Sequence, residues 1–349
     1  MKVLFSSNRN PNFLTFTEYI ENALGANGCD TLFFENRDFL IPGRIRDIIS
    51  CFNQLGLKIL NKRLRYKADS FKPAFFLEGG GWNVLPETID YFKKQGIVTA
   101  LWTIDPPRIF DDIAKAAPHY DYVFTQGTEA YEILESLEIK NLHWLPFACD
   151  ADIHKPITLS DVEKAEYGCD VSFVGSGWPG FYSKRIAQLE GLAEFNLGIW
   201  GPGWHTIDDA SPIKKYIRGG QTNPAEWIKI YSASKMVFCS HYHDPSGNVP
   251  CYQASPRVFE ALACGAFLLV DDQRDVRALF KDGEHLVIYK DKDDLREKVR
   301  YYLEHDDERM KIAKSGMQEV LQKHTFRHRI KQILDITGFS EKSVKLQKQ

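Results

Sequence analysis

The 349-residue chain is long for one ordinary domain and suits two, each large enough to bury its own core. Hydrophobic residues at 44% and charged residues at 26% exclude extended disorder, and 44 basic against 47 acidic side chains exclude a global attraction to nucleic acid or anionic lipid. Seven cysteines without a C-x-x-C pair argue against structural zinc and fit a reducing compartment.

The opening Met1-Lys2-Val3-Leu4-Phe5-Ser6-Ser7 turns polar too soon for a signal peptide, so a cytoplasmic protein is expected. The longest apolar run, 261–270, is far short of the roughly 20 residues that span a bilayer. Carboxylates bracket it at Glu260 and Asp271, which marks buried core and no stable membrane insertion.

In chain order, a strand at 3–6 leads through a polar loop at 7–12 to a helix at 13–24. The alternation recurs as strand 31–34 and helix 45–64, strand 74–77 and helix 87–94, strand 98–102 and helix 110–116, and strand 122–125 and helix 129–137. Strand 142–146 closes the series, and 147–156, without clear periodicity, reads as a connector. A second series follows: strand 170–174, helix 182–192, strand 197–200, strand 236–240, helix 256–263, strand 267–270, helix 276–280, strand 286–289 and helix 293–304. Amphipathic helices fill 308–335, and the tail after Ser340 is expected to be loose. Short apolar strands alternating with helices imply two open parallel α/β sheets, whose ligands bind beyond the carboxyl ends of the strands, in a cleft where two such sheets face each other. The expected domains are 1–155 and 156–325, with 326–349 a closing helix and tail that crosses back to the first.

The segment 254–270 carries the most information. Ser255 suits an N-cap and Pro256 the first helical position, so free N–H groups are expected to point from this helix start toward an anion such as a phosphate. Arg257 places a cation where the helix dipole disfavours one, a conflict that a bound diphosphate removes. Glu260, one turn on, is placed to accept hydrogen bonds from a ribose, and Gly265 allows a tight passage into the next strand. The ordinary alternative is a capped helix with an exposed arginine.

Gly175-Ser176-Gly177-Trp178-Pro179-Gly180 fits G-x-G-x-x-G after a strand, the pattern of a dinucleotide site. The next strand, however, runs into Gly201-Pro202-Gly203-Trp204 without the acidic residue such a site uses for ribose, so a glycine turn approaching a sugar diphosphate accounts for both facts. Ser176, Lys184 and Arg185 are candidates to help hold it, the two charges being otherwise a solvated face.

On these residues the chain resembles the CgeB-like, spore-maturation-protein-like glycosyltransferases. The resemblance rests on Ser255-Pro256-Arg257-Val258-Phe259-Glu260-Ala261-Leu262-Ala263-Cys264-Gly265, then Leu279-Phe280-Lys281-Asp282-Gly283-Glu284-His285, and the closing His324-Thr325-Phe326-Arg327-His328-Arg329. More loosely, Leu101-Trp102-Thr103-Ile104-Asp105-Pro106-Pro107 and Leu145-Pro146-Phe147-Ala148 fit the same group. The resemblance implies a GT-B fold, two Rossmann-like domains facing each other across a cleft. It implies a nucleotide-sugar donor on the second, an acceptor on the first, and no obligatory metal or other cofactor. Glu260 matches the glutamate that holds the donor ribose in related retaining enzymes. The partner glutamate of their E-x7-E arrangement is Tyr252 here, which leaves the donor-sugar contacts and the anomeric outcome open.

Asp105, beyond strand 98–102 and stiffened by Pro106 and Pro107, is the candidate general base or acceptor anchor, with turn capping the alternative. Gly79-Gly80-Gly81 lets backbone or acceptor come close, and Trp82 or Trp102 offers a sugar-stacking face unless it is core. His241 and His243 follow a strand and suit a phosphate or sugar contact better than a metal. Asp150-Ala151-Asp152 looks like the D-x-D of metal-dependent transferases but stands in the connector and reads as structural. The basic residues between Arg44 and Lys67 read as the solvated face of an amphipathic helix or as a surface for an anionic acceptor, including modified DNA. The expected acceptor is a protein, glycan, small molecule or modified DNA. Alternatives from other classes are a non-catalytic nucleotide-sugar-binding protein and an NAD-linked oxidoreductase.

Overall fold

Runs such as Val3-Leu4-Phe5 are apolar at consecutive positions, so they are stable as strands only when both faces are covered, the condition of a parallel sheet between helices. The computed structural model, which describes residues 1–46, 50–103, 110–244 and 246–340, meets that condition twice. Strands β1 (Lys2–Ser7), β2 (Asp30–Glu35), β3 (Phe75–Gly79), β4 (Val98–Thr103), β5 (Tyr122–Thr125) and β6 (Leu142–Trp144) pair in parallel in the order β2-β1-β3-β4-β5-β6. Strands β7 (Cys169–Val174), β8 (Leu197–Trp200), β9 (Ile217–Gly219), β10 (Ser234–Cys239), β11 (Leu268–Asp271) and β12 (Val287–Tyr289) form the second sheet, again parallel, in the order β12-β11-β10-β7-β8-β9. Each order reverses once beside the first strand of its series, between β1 and β3 and between β7 and β10, and such a reversal opens a crevice at the carboxyl edge.

Packing divides the chain into one unit of Met1–Pro146 with the chain from Phe326 onward, and another of Phe147–Thr325. In the first, Leu4, Phe76, Leu101 and Val123 from the sheet pack with Leu60, Leu64 and Phe92 from its helices. In the second, Val171, Phe173, Ile199, Phe238, Leu269 and Tyr289 pack with Trp204, Leu295 and Ile312. The closing helix Phe326–Ile336 serves the first core: Phe326 lies 5.7 Å from Tyr19 and 6.1 Å from Trp102, ring centroid to centroid. Buried Arg329 donates from Nε to the Pro146 carbonyl at 2.7 Å.

The stretch 147–156 lies in the second unit, where the Cys149 N–H donates to the His324 carbonyl at 3.1 Å and Cys149 bridges Thr325 in parallel. The helix expected over 13–24 starts at Phe16 because Thr15 and Glu18 form a capping box, and the one expected over 45–64 is observed as Gly43–Arg46 and Ser50–Phe71. The expectation omitted β9, the helix Asp161–Tyr167, capped by Ser160 with Glu163, and the helix Pro224–Ala233, capped by Asn223.

Candidate functional site

At the reversal point of the second sheet, β7 ends in the glycine loop and β10 ends in His241-Tyr242-His243. The helix Pro256–Ala263 begins beside the latter, because the Ser255 N–H donates to His241 Nε2 at 2.9 Å. Gly175, Ser176, His241, Ser255, Arg257 and Glu260 all stand at this carboxyl edge, on the loops after β7 and β10 or on that helix.

The glycine loop differs from the expected phosphate cradle. The Gly175 N–H donates to the Trp200 carbonyl and the Gly177 N–H to the Pro202 carbonyl, each at 2.9 Å, while Trp204 Nε1 donates to the Gly175 carbonyl at 2.7 Å. Those amides are thus used up in packing the loop against Gly201–Gly203. A Cβ on Gly177 would fall 2.3 Å from the Trp204 ring, so this glycine makes room for tryptophan. A Cβ on Gly175 would lie 2.8 Å from Arg257 Nη2 and 2.9 Å from the Phe173 ring, so this one makes room for the guanidinium.

Arg185 is not part of a solvated face. Its side chain is buried, donating from Nη1 to the Ser176 carbonyl at 2.7 Å and from Nη2 to the Ser240 carbonyl at 2.8 Å, which ties the ends of β7 and β10 together. Lys184, one position earlier on the helix, is exposed, as expected for a solvated side chain, and contacts His243 Nε2 at 3.1 Å. The Arg185 and Arg257 guanidinium carbons stand 5.1 and 5.5 Å from the Phe173 ring centroid, and the other polar contact of Arg257 is a long one, Nη1 to Cys239 Sγ at 3.8 Å. Among the described residues neither arginine forms an ion pair. Burial first, and the Arg257 charge second, lower the Arg185 pKa to about 10, which leaves it cationic at neutral pH. Two guanidiniums that share one aromatic ring, neither in an ion pair, leave a site where an anion can form charge-assisted hydrogen bonds.

The helix start also departs from expectation. Pro256 has no N–H, that of Ser255 goes to His241, that of Val258 to the Ser255 carbonyl at 3.0 Å, and that of Arg257 makes a long 3.4 Å bond to Ser255 Oγ. Positive potential here therefore comes from the two arginines and the helix dipole rather than from open amides.

His241 is held at both ring nitrogens. Since Nε2 accepts from the Ser255 N–H, the ring proton is on Nδ1, which donates to Asp271 Oδ1 at 2.6 Å. The expected direct contact to phosphate or sugar gives way to positioning, because the ring has no nitrogen to spare. Asp271, at the end of β11, also accepts from the His241 N–H at 3.0 Å and from Gln273 Nε2 at 3.0 Å, and His243 Nε2 lies 3.0 Å from Oδ2. Burial opposes ionisation of Asp271, but His241, His243 and Gln273 together hold its pKa well below the usual carboxylate range. In the sequence Asp271 reads only as a carboxylate bracketing an apolar run, although its place at the end of that strand is a signal for the site.

Glu260 is mostly buried, with Oε1 3.9 Å from His154 Nε2. His154 Nδ1 accepts from the Asp150 N–H at 3.0 Å, so the imidazole proton is on Nε2, toward Glu260. The Asp152 N–H donates to Asp150 Oδ1 at 2.9 Å, consistent with a structural turn at this D-x-D.

In the first unit, Gly80 (φ +113°) and Gly81 (φ +89°) turn the chain in a region closed to most side chains, and a Cβ on Gly80 would lie 2.8 Å from the Trp82 ring. Trp82 is half-buried, whereas Trp102 is fully buried, with Nε1 donating to the Leu145 carbonyl at 3.1 Å, and belongs to the core. Asp105 lies outside the described residues. Beneath the glycine turn sits Glu78, fully buried, to which the Tyr120 hydroxyl donates at 2.5 Å. Burial, only partly opposed by Tyr120 and the backbone of Gly81 and Trp82, raises its pKa from 4.5 to about 8. A carboxyl whose folded pKa is raised stabilises the fold least once ionised, so the wild type loses stability relative to Glu78→Gln as pH climbs from 4.5 to about 8, by up to about 1.4 kcal/mol per pH unit. Urea denaturation across that range checks it, and parallel curves for the two proteins would refute the buried neutral acid.

Residues 181–335 match a family model described as glycosyl transferase-like. The spore protein CgeB of Bacillus subtilis (strain 168) is 20% identical over 271 residues, which is 74% of this chain and 81% of that protein. Among solved structures, sucrose-phosphate synthase from Thermosynechococcus elongatus matches with a TM-score of 0.69 at 12% identity, over 96% of this chain and 98% of that one. Anabaena HepE in complex with UDP-glucose matches with a TM-score of 0.65 at 12% identity, over 96% and 98%. The fold is GT-B, and the similarity to CgeB-like glycosyltransferases noted in the sequence holds in the comparison with CgeB itself.

Proposed function

We propose that this CgeB-like GT-B chain is a glycosyltransferase that moves a hexose or similar sugar from a nucleoside-diphosphate donor to a nucleophile, usually a hydroxyl, of a protein, glycan, small-molecule or modified-DNA acceptor. The observation that carries it is the pair of guanidiniums without ion-pair partners among the described residues, Arg185 and Arg257, at the reversal point of the second sheet. In this reading the diphosphate lies against Arg257 and the Ser255 hydroxyl, the field of buried Arg185 adds to the attraction, and Glu260 accepts from the ribose hydroxyls. HepE, of the same fold, holds UDP-glucose, which supports a donor of that class.

As the sugar–phosphate bond breaks, negative charge grows on the departing diphosphate, and a guanidinium already in place stabilises that charge without reorganising. No metal is assigned to the step, and the site of action is taken as the cytoplasm. Gly80 and Trp82 are assigned to the acceptor, and Asp105 keeps the role of general base.

A panel of nucleoside diphosphates should raise the melting temperature, because a ligand that binds only the folded chain stabilises it. Glu260→Ala is expected to weaken the best of them about 10- to 100-fold, the size of a lost charge-assisted hydrogen bond. No stabilisation by any of the panel, or equal titrations of the two proteins, would remove the donor assignment.

A further inference from the structure

The helix Ser50–Phe71 buries Gly56, Leu60, Asn61, Leu64 and Ala68 on the side facing its own unit. At 100° per residue, Phe52, Leu55, Ile59 and Tyr66 fall within a sector of about 60° on the far side. Phe52 is 37%, Leu55 47% and Tyr66 70% exposed and Ile59 is half-buried, so most of this second apolar stripe lies uncovered. Lys58, Lys62 and Arg65 flank one side of it, and Arg63 and Lys67 the other, whereas the helix carries a single carboxylate, Asp69. Arg63 is paired with Asp38 and Arg65 lies over the Tyr91 ring, while Lys58 and Lys62 are exposed beside Leu55.

We propose that this face docks reversibly on an anionic lipid surface, with Phe52 and Leu55 entering the headgroup boundary and the flanking lysines meeting lipid phosphates. The charge pattern selects that occupant. A second copy of the same helix would bring Lys58, Lys62 and Arg65 against their own counterparts, and a nucleic acid would neutralise the lysines without rewarding burial of Phe52 and Leu55. An anionic bilayer meets both needs at once, since it offers negative headgroups above an apolar layer. The proposed association is a peripheral one, and among the described residues no helix is long and apolar enough to cross a membrane. Such a surface would bring the chain to acceptors held at a membrane, and it stands independently of the donor site.

Co-sedimentation of the purified full chain with vesicles tests the proposal. The wild type should pellet with vesicles of phosphatidylcholine mixed with phosphatidylglycerol, stay in solution with phosphatidylcholine alone, and be released by salt. Because each basic group near an anionic surface contributes about 1 kcal/mol, Lys58→Glu with Lys62→Glu should lower partitioning about 30-fold or more. Phe52→Ser with Leu55→Ser should lower it about tenfold, and because all four positions are solvent-facing, unchanged circular-dichroism melts should accompany both losses. Failure to pellet with anionic vesicles, equal pelleting with both vesicle types, or indifference to the Phe52 and Leu55 changes would each overturn the proposal. So would duplex DNA competing the chain off the vesicles while its own binding ignores those two changes.

Discussion

Replacing Arg257 by alanine is expected to lower kcat by about 10²- to 10³-fold, the usual cost of removing one preorganised donor from a developing negative charge. The expectation rests on where the guanidinium sits: Gly175 leaves room for Nη2, and the Phe173 ring and the Cys239 thiol steady it without an ion pair. Arg257→Lys should recover part of the rate, because a lysine supplies the charge but not the planar fork. Donor hydrolysis or transfer followed with saturating nucleotide sugar separates kcat from KM. If only KM rises, Arg257 binds ground and transition states equally, and the proposed charge stabilisation fails.

The second large effect is expected at Asp271. Its carboxylate accepts from the backbone and ring of His241 and from Gln273, and His243 stands against it, so an asparagine in its place presents one donor group where only donors converge. A stability loss of about 3 kcal/mol is expected, the range found when one partner of a buried charged network is removed. The pH dependence has a definite sign. Because the folded pKa lies below that of the unfolded chain, the wild-type advantage over Asp271→Asn is full above the ordinary aspartate value of 3.8 and shrinks as pH falls toward the folded value. Donor affinity should fall in parallel, since His241 would lose the tautomer that anchors the Ser255 N–H. Denaturation at neutral and acidic pH together with nucleotide titration checks both, and a variant with wild-type stability and affinity would remove Asp271 from the site.

Much of the architecture was legible in the sequence, because parallel strands are uniformly apolar and helices follow them at regular intervals. What escaped was short or conditional. Strand β9 is three residues, Ile217-Arg218-Gly219, which pair with β8 while Arg218 reaches the Gly168 and Leu197 carbonyls, long-range contacts with no local pattern. The helix Asp161–Tyr167, by contrast, was missed although its Ser160 and Glu163 capping pair is a local signal that the sequence carries.

In the site, residue types and their gathering at one sheet edge were legible, but roles set by distant partners were not. His241 is committed by groups 14 and 30 residues away, Ser255 and Asp271. Adjacent Lys184 and Arg185 look alike in sequence, yet one turns to solvent and the other into the sheet, a matter of helix rotation. The helix start looked rich in open amides because Ser255-Pro256 is a good capping pair, and the hydrogen bonds that occupy those amides appear only in three dimensions.

The chain order of the first unit bears on how the protein is made. Its last layer, from Phe326 through Phe339, is translated after the entire second unit, so Tyr19, Trp102 and Phe75 emerge from the ribosome long before the aromatic partners that cover them. Until synthesis passes Phe339 the nascent amino-terminal half carries a sticky bare patch, a natural target for a holding chaperone, while the middle of the chain is free to fold on its own schedule.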